Sequence, residues 1–248
     1  MGQARHPSHV TPLTPDAQQN EAAHLNDLAQ ITALARGKGP ARRTEAPACA
    51  VPAQNHAGRM RGVRPFSPLI DRLVRRKVTI AGKNGHLHLA RPINESDAGA
   101  LMRCYDAMTE RGKWFRMLHH LPHLSEDMAR DFCSPDPDKD LCIVLEGDGP
   151  LAGEILGGAR ITGSADGKSA EYSVTLRPEA EGLGLAHKAL ELVFAAAKEM
   201  GYTRIWGAIH SENGPMLQLA ESLDLNLRRD PNDAALMVSE GDLLLALK

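Results

Sequence analysis

The segment from Glu171 to Met200 constrains the fold more than any other. Glu171-Tyr172-Ser173-Val174-Thr175-Leu176 alternates polar and apolar residues, the period of a strand with one buried face. Leu185 to Met200 reads as a strong helix that stops at Gly201. Between them lies Gly182-Leu183-Gly184. The two glycines let the backbone adopt positive φ and let a ligand approach closely. A helix that begins there offers unpaired N–H groups and the positive end of its dipole. Strand, glycine turn and helix start together form a site for a phosphate group. The same turn could equally begin a helix without holding any ligand, and a lone G-x-G does not choose between the two.

The flanking sequence places this unit among others. His86 to Ala90 alternates as a strand. Asn94 is a helix cap with Asp97 three residues on, and Ala98 to Met108 carries Ala98, Leu101, Met102, Tyr105 and Met108 on one helical face. Ser125 caps a second helix that runs to about Phe132, with Glu126 and Asp127 in its first turn. Strands follow at Asp140 to Glu146, Ile155 to Thr162 and Ala170 to Leu176, the last two joined at the Asp166-Gly167 turn. After the long helix come a strand at Thr203 to His210 and a helix from Asn213 to Leu223, with Pro215 in its first turn. Weak strands at Asn226 to Arg229 and Ala234 to Leu244 close the pattern, and Leu243-Leu244-Leu245 reads as a final core strand. The order β-α-α-β-β-β-α-β-α-β-β describes an α/β fold with a mixed sheet flanked by helices.

The N-terminal part differs. Residues 1–65 are rich in Ala, Pro, Gln, His and Arg and almost lack aromatics. Such a composition cannot bury enough apolar surface to offset ordering entropy, so a flexible, basic extension is expected. Within it, Leu25, Leu28, Ile31 and Leu34 fit a transient helix over Glu21 to Arg36, or one that docks on a partner. Residues 66–84 read as a short amphipathic helix (Pro68 to Lys77, with Leu69, Ile70, Leu73 and Val74 on its apolar side) followed by a linker. Residues 85–248 form the folded domain.

Eleven basic residues lie between Arg36 and Lys77, against Glu45 and Asp71 alone, although the whole chain has a net charge of −2. That arm suits a partner of opposite charge or a solvated, self-neutralising tail. Without interleaved aromatics it makes no nucleic-acid platform. No apolar run approaches the ~20 residues of a membrane span, and no secretory signal opens the chain. Cys49, Cys104, Cys133 and Cys142 form no C-x-x-C pair, so they read as reduced thiols in a cytoplasm, with Cys104 and Cys142 as small buried hydrophobes. His119, His120 and His123 lack companion ligands at metal-binding spacing and read as a surface or substrate-lining loop, so no metal is expected.

Four stretches carry a family resemblance: Arg91-Pro92-Ile93 with Asp97; Lys113-Trp114-Phe115-Arg116; Ala170-Glu171-Tyr172 running into the glycine turn; and Ile205-Trp206-Gly207 followed by Glu212-Asn213-Gly214-Pro215-Met216-Leu217. Over Leu89 to Leu225 they resemble the GCN5-related N-acetyltransferases (GNAT family), most closely the acetyltransferase domain of bacterial protein lysine acetyltransferases. The resemblance implies a mostly antiparallel sheet and acetyl-CoA as co-substrate. It implies that the backbone of Gly182, Leu183, Gly184, Leu185 and Ala186 holds the pyrophosphate, with His187 just beyond. Val174 and Leu176 would bind the pantetheine arm through their main chain, and Asn213 from the opposite side. Glu171 would be the general base. The reaction implied is acetyl transfer to a primary amine, with a protein lysine first. A small-molecule amine, or a non-catalytic acyl-CoA-binding module, stands as the alternative. Five positions depart from the family: Glu181 and Leu183 stand where a Gln or Arg and a basic residue are usual, Asp224-Leu225 replaces Gly-Phe, and Ala220 replaces a tyrosine that serves as general acid. The acceptor groove is expected in the loop Arg111 to Leu124.

Overall fold

The computed structural model describes residues 68–75 and 78–244. The expected extension over 1–65, its helix at 21–36, Cys49 and Leu245 lie outside the described residues. Helix α1 (Pro68–Arg75) precedes strands β1 (Val78–Ala81) and β2 (Leu87–Pro92). Helices α2 (Ala98–Asp106), α3 (Glu110–Met117) and α4 (Glu126–Cys133) follow. Then come β3 (Asp140–Glu146), β4 (Ile155–Gly163), β5 (Ser169–Leu176), α5 (Leu185–Glu199), β6 (Arg204–His210), α6 (Gly214–Ser222), β7 (Asn226–Arg229) and β8 (Leu236–Asp242).

The strands form one sheet in the order β1-β2-β3-β4-β5-β6-β8-β7. Every neighbouring pair is antiparallel except β5 and β6, which α5 joins as a parallel crossover. The mixed, mostly antiparallel sheet is the one the sequence implies.

Helices cover both faces. Leu185, Leu190 and Val193 of α5 are fully buried and belong to one cluster with Ile143, Leu145, Ile161 and Tyr172 of the sheet. Burying each such aliphatic side chain is worth about 1.5–3 kcal/mol. Tyr172 also packs its ring edge-on against Phe194 and donates to Ser239 Oγ at 2.7 Å. On the opposite face Cys104, Cys133 and Ile93 pack against Val144 and Ile155. The near-continuous apolar run of β3 follows from this double cover. Cys104 and Cys133 are the deeply buried thiols, while Cys142 is half-buried at the edge of a cavity.

Local chemistry sets the helix ends. Asn94 Oδ1 accepts from the Ser96 N–H at 3.0 Å, and the Asp97 carboxylate accepts from the Asn94 N–H at 2.9 Å. Arg91 grips Asp97 through both guanidinium nitrogens, at 2.7 and 2.8 Å. Burial alone would raise the Asp97 carboxyl; the Arg91 and Asn94 contacts outweigh it and hold the group below its ordinary value. Ser125 Oγ caps α4 by accepting from the Met128 N–H at 3.2 Å.

Four features differ from the sequence reading. First, β1 lies within the stretch expected as a linker and pairs with β2 from Val78↔Ala90 to Ala81↔Leu87. Four residues are too few to show a strand period. Second, α3 is a helix where a loop was expected. Thr109 Oγ1 accepts from the Gly112 N–H at 3.0 Å and starts it, and Leu118 ends it with φ 55°. Gly112 and four charged residues among Glu110–Lys113 and Arg116 hide its apolar face from a pattern search. Third, β8 ends at Asp242, whose side chain accepts the Leu244 N–H at 2.7 Å and turns the chain out of the sheet. Leu243 is buried beyond that turn, whereas Leu244 is 64% exposed. Fourth, Asp224 takes φ 56°, so the left-handed turn after α6 survives without its usual glycine, and Leu225 is still buried. Among the described residues no helix is long and apolar enough to cross a membrane.

Candidate active site

The sheet forks between β5 and β6. The two strands pair only at Ser169↔Arg204, Ala170↔Ile205 and Glu171↔Trp206. Beyond Glu171, β5 continues to Leu176 and β6 to His210 without pairing to each other. On its other edge β5 stays paired with β4 as far as Leu176↔Gly157. The Arg177 N–H donates to Leu156 O at 2.8 Å, so this parity of residue faces β4. Strand alternation therefore turns the N–H and C=O groups of Val174 and Leu176 into the fork. That open edge can accept one more extended chain as an added strand.

The glycine turn sits at the mouth of the fork. Gly182 and Gly184 have φ of 73° and 75°, a region that a side chain would strain. Gly184 occupies the cap of α5 and gives it no side-chain cap. The first-turn N–H groups of Leu185, Ala186 and His187 thus lack both intrahelical and capping partners. Glu181 is exposed, and Leu183 packs on the core. His187 lies between Ser222 O, at 3.4 Å, and Glu191, at 3.5 Å, tying α5 to α6. Lys188 donates to Ala81 O at 2.6 Å.

A residue that the sequence reading passed over meets this turn. The Lys83 N–H donates to Leu183 O at 2.9 Å. Its side chain lies along Gly184, where an added Cβ would stand 3.4 Å from Lys83 Cε. The ammonium itself makes no hydrogen bond or ion pair among the described residues. A hairpin thus lays a lysine beside the glycine turn. Asn84-Gly85 beside an alternating strand was the available signal for that hairpin.

Glu171 is the last paired residue before the fork, with Thr162 across β4 and Trp206 across β6. Alternation sets Glu171, Ser173 and Thr175 on the face that α2, α3 and α4 cover, opposite Tyr172 and α5. Helix α3 crosses the same face. Phe115 lies 5.6 Å from the His210 ring, and Arg111 stacks 5.1 Å over Phe115 while reaching Glu212 at 3.7 Å. The Lys113–Arg116 and Glu212–Leu217 stretches, distant in sequence, therefore meet beside the open end of the fork. Asn213 Oδ1 caps α6 by accepting from the Met216 N–H at 3.3 Å, which leaves its amide N–H₂ for a ligand. Ala220 is fully buried.

Other candidates are placed elsewhere. His119 sits against Met117 O at 2.6 Å and His123 against Asp106 at 2.8 Å. Among the described residues no three potential metal ligands converge. Burial pushes the Cys104 thiol up to about 12 and the Cys133 thiol up to about 11, which suits packing and not nucleophilic attack.

Residues 88–226 match the family described as Acetyltransferase (GNAT) domain. The GNAT domain of S. lividans PAT superposes with a TM-score of 0.62 at 21% identity, covering 67% of this chain and 96% of that one. A domain from Methanocaldococcus jannaschii gives 0.52 at 15% identity, covering 62% and 97%. An acetyltransferase of the GNAT family from Streptococcus pneumoniae gives 0.51 at 12% identity, covering 62% and 98%. At these identities the superpositions speak for the fold. The family match runs from the second strand through the glycine turn to the seventh strand, and the chain belongs to the GNAT acetyltransferases, a fold that serves acyl transfer from acyl-CoA.

Proposed function

We propose that this protein moves an acetyl group from acetyl-CoA to a primary amine, and that the amine is a protein lysine. The observation that carries this reading is the position of Glu171, at the point where β5 and β6 part and on the face that α3 covers. A lysine ammonium has a pKa near 10.4, so at pH 7 only about one in 2,500 is a free amine. Glu171 takes the proton, directly or through one water. The freed nitrogen forms the C–N bond as the C–S bond of the thioester breaks. An N–H in the fork polarises the thioester carbonyl. Ala220 offers no proton where the family has a tyrosine, so water protonates the leaving sulfur.

The chain's other residues hold the co-substrate. Val174 and Leu176 pair with the pantetheine arm along the open edge, and Asn213 contacts it from α6. The uncapped N–H groups from Gly182 to His187 face the pyrophosphate. Lys83 supplies the charge that Leu183 lacks and offsets Glu181. Lys83→Ala is expected to raise the KM for acetyl-CoA about three- to tenfold, the worth of one exposed charge-assisted contact. Initial rates at varied acetyl-CoA check this. A loss confined to kcat would place Lys83 outside the co-substrate site.

A protein acceptor is supported by the resemblance of the α3 and α6 stretches to bacterial protein lysine acetyltransferases. The surface of α3 supports it too: Trp114 is 42% exposed, and Arg111 of the same helix reaches Glu212. In this reading residues 85–248, together with β1, are the transferase domain, residues 1–65 are an arm for a partner, and the reaction takes place in the cytoplasm. The test is thiol release from acetyl-CoA with a panel of proteins set against polyamines and aminoglycosides.

A further inference from the structure

A cavity of about 80 Å³ opens beside the fork, between the sheet and helices α2, α3 and α4. Its walls are apolar, with Leu101, Met108, Phe132 and Ile155 among them. Two arginines, Arg116 and Arg160, also line it. Arg160 is already matched: it reaches Asp140 at 3.2 Å, Thr162 Oγ1 at 3.2 Å and Phe132 O at 3.4 Å. Arg116 makes no hydrogen bond or ion pair among the described residues. Thr175 Oγ1, also on the cavity wall, is buried without a hydrogen-bond partner.

Arg116 is half-buried; an arginine does not give up its charge, and a charge partly withdrawn from water without a partner is costly. Burial and the neighbouring Arg160 both disfavour the Arg116 charge, and Glu171 favours it. The cost falls if an anion enters. A carboxylate matches the planar fork of a guanidinium with two parallel bonds. The apolar walls suit an aliphatic chain carrying that carboxylate. A phosphate would present more oxygens than one free fork and one hydroxyl can satisfy.

We propose that this cavity is a subsite for a carboxylate borne on a short aliphatic chain of one of the two reactants, bound by Arg116 with Thr175 Oγ1 as a second donor. The inference rests on the reading that transfer takes place on the Glu171 face of the fork. Two sources share this chemistry. One is the donor, as an acyl thioester of a dicarboxylic acid. The other is the acceptor, as an amine that carries a carboxylate.

Calorimetric titration of the full-length chain separates them. The donor arm compares succinyl-CoA with butyryl-CoA, which match in length. The acceptor arm compares 6-aminohexanoate with pentylamine in the presence of CoA. The carboxylate-bearing member of one pair is expected to bind at least about tenfold tighter, as a charge-assisted bidentate contact allows. Preference in the first pair assigns the donor, and preference in the second assigns the acceptor. Arg116→Met should reduce that preference to within about twofold, and Thr175→Val should reduce it about threefold. Arg116→Met should also raise the melting temperature of the unliganded chain slightly, because it removes an unmatched, half-buried charge. An arginine with a purely structural role would lower it. No preference in either arm, or a preference that survives both substitutions, overturns the subsite. Acetyl-CoA titrated alongside reads the underlying assignment: if it binds and no preference appears, the subsite alone fails. If acetyl-CoA does not bind, both fail.

Discussion

Glu171→Gln is expected to lower kcat by about a hundred- to ten-thousandfold, the usual worth of a positioned general base. The substitution keeps the shape of the side chain and removes its ability to take a proton. Glu171 stands at the end of the β5–β6 pairing, held by Thr162 and Trp206 as cross-strand neighbours, so its backbone position does not depend on its charge. In the proposed binding mode the main chain of Val174 and Leu176 and the start of α5 hold acetyl-CoA, so its dissociation constant should change by less than about threefold. Raising the pH should narrow the gap between variant and wild type, because more of the acceptor amine is then already free. A variant with full kcat at neutral pH would remove Glu171 from the proton transfer.

A large effect on stability is expected at Gly158, in the middle of the sheet. Gly158 pairs with Val144 on β3 and Thr175 on β5. A Cβ there would stand 2.1 Å from Ile143 O and 3.2 Å from Val144 Cα. Both are backbone atoms, so no rotamer relieves the contact and the strands must part where Ile143, Val144 and Leu145 are buried. Gly158→Ala should cost about 3 kcal/mol or more, at the upper end of overpacking. For a domain of this size that is a fall of roughly 6–12 °C in melting temperature. Gly214 is the control: a Cβ there meets nothing within 4 Å, and the position opens α6. Gly214→Ala should be neutral or slightly stabilising. Equal melting temperatures for the two variants would refute the close approach at Gly158.

Much of this arrangement was legible in the residues because local chemistry and tertiary structure agree there. Asn94, Ser125 and Asn213 cap helices as short polar residues do, and the β3 run reads as a strand covered on both faces. The glycine turn could be read because positive φ at Gly182 and Gly184 demands glycine. The fork itself was not legible. It is a place where pairing stops, and no residue type encodes the absence of a neighbour. The hairpin that brings Lys83 to the turn was missed because β1 is too short for periodicity, although Asn84-Gly85 marked its turn. Helix α3 was missed because its charged residues conceal the side on which Phe115 meets His210. The cavity under α3 escaped for a related reason: Arg116, Arg160 and Thr175 come from three elements that only the fold brings together.

Transfer of an acetyl group onto an amine by Glu171 and the forked sheet is measured as thiol release from acetyl-CoA by the full-length chain, across a panel of proteins, polyamines and aminoglycosides. Release is expected with a protein acceptor, with an acetyl group recovered on a lysine of that protein and both lost in Glu171→Gln. Release with small amines alone would keep the chemistry and replace the acceptor. Tight binding of acetyl-CoA with no release for any amine would rule out the transfer, leaving the chain an acyl-CoA-binding module built on a transferase fold.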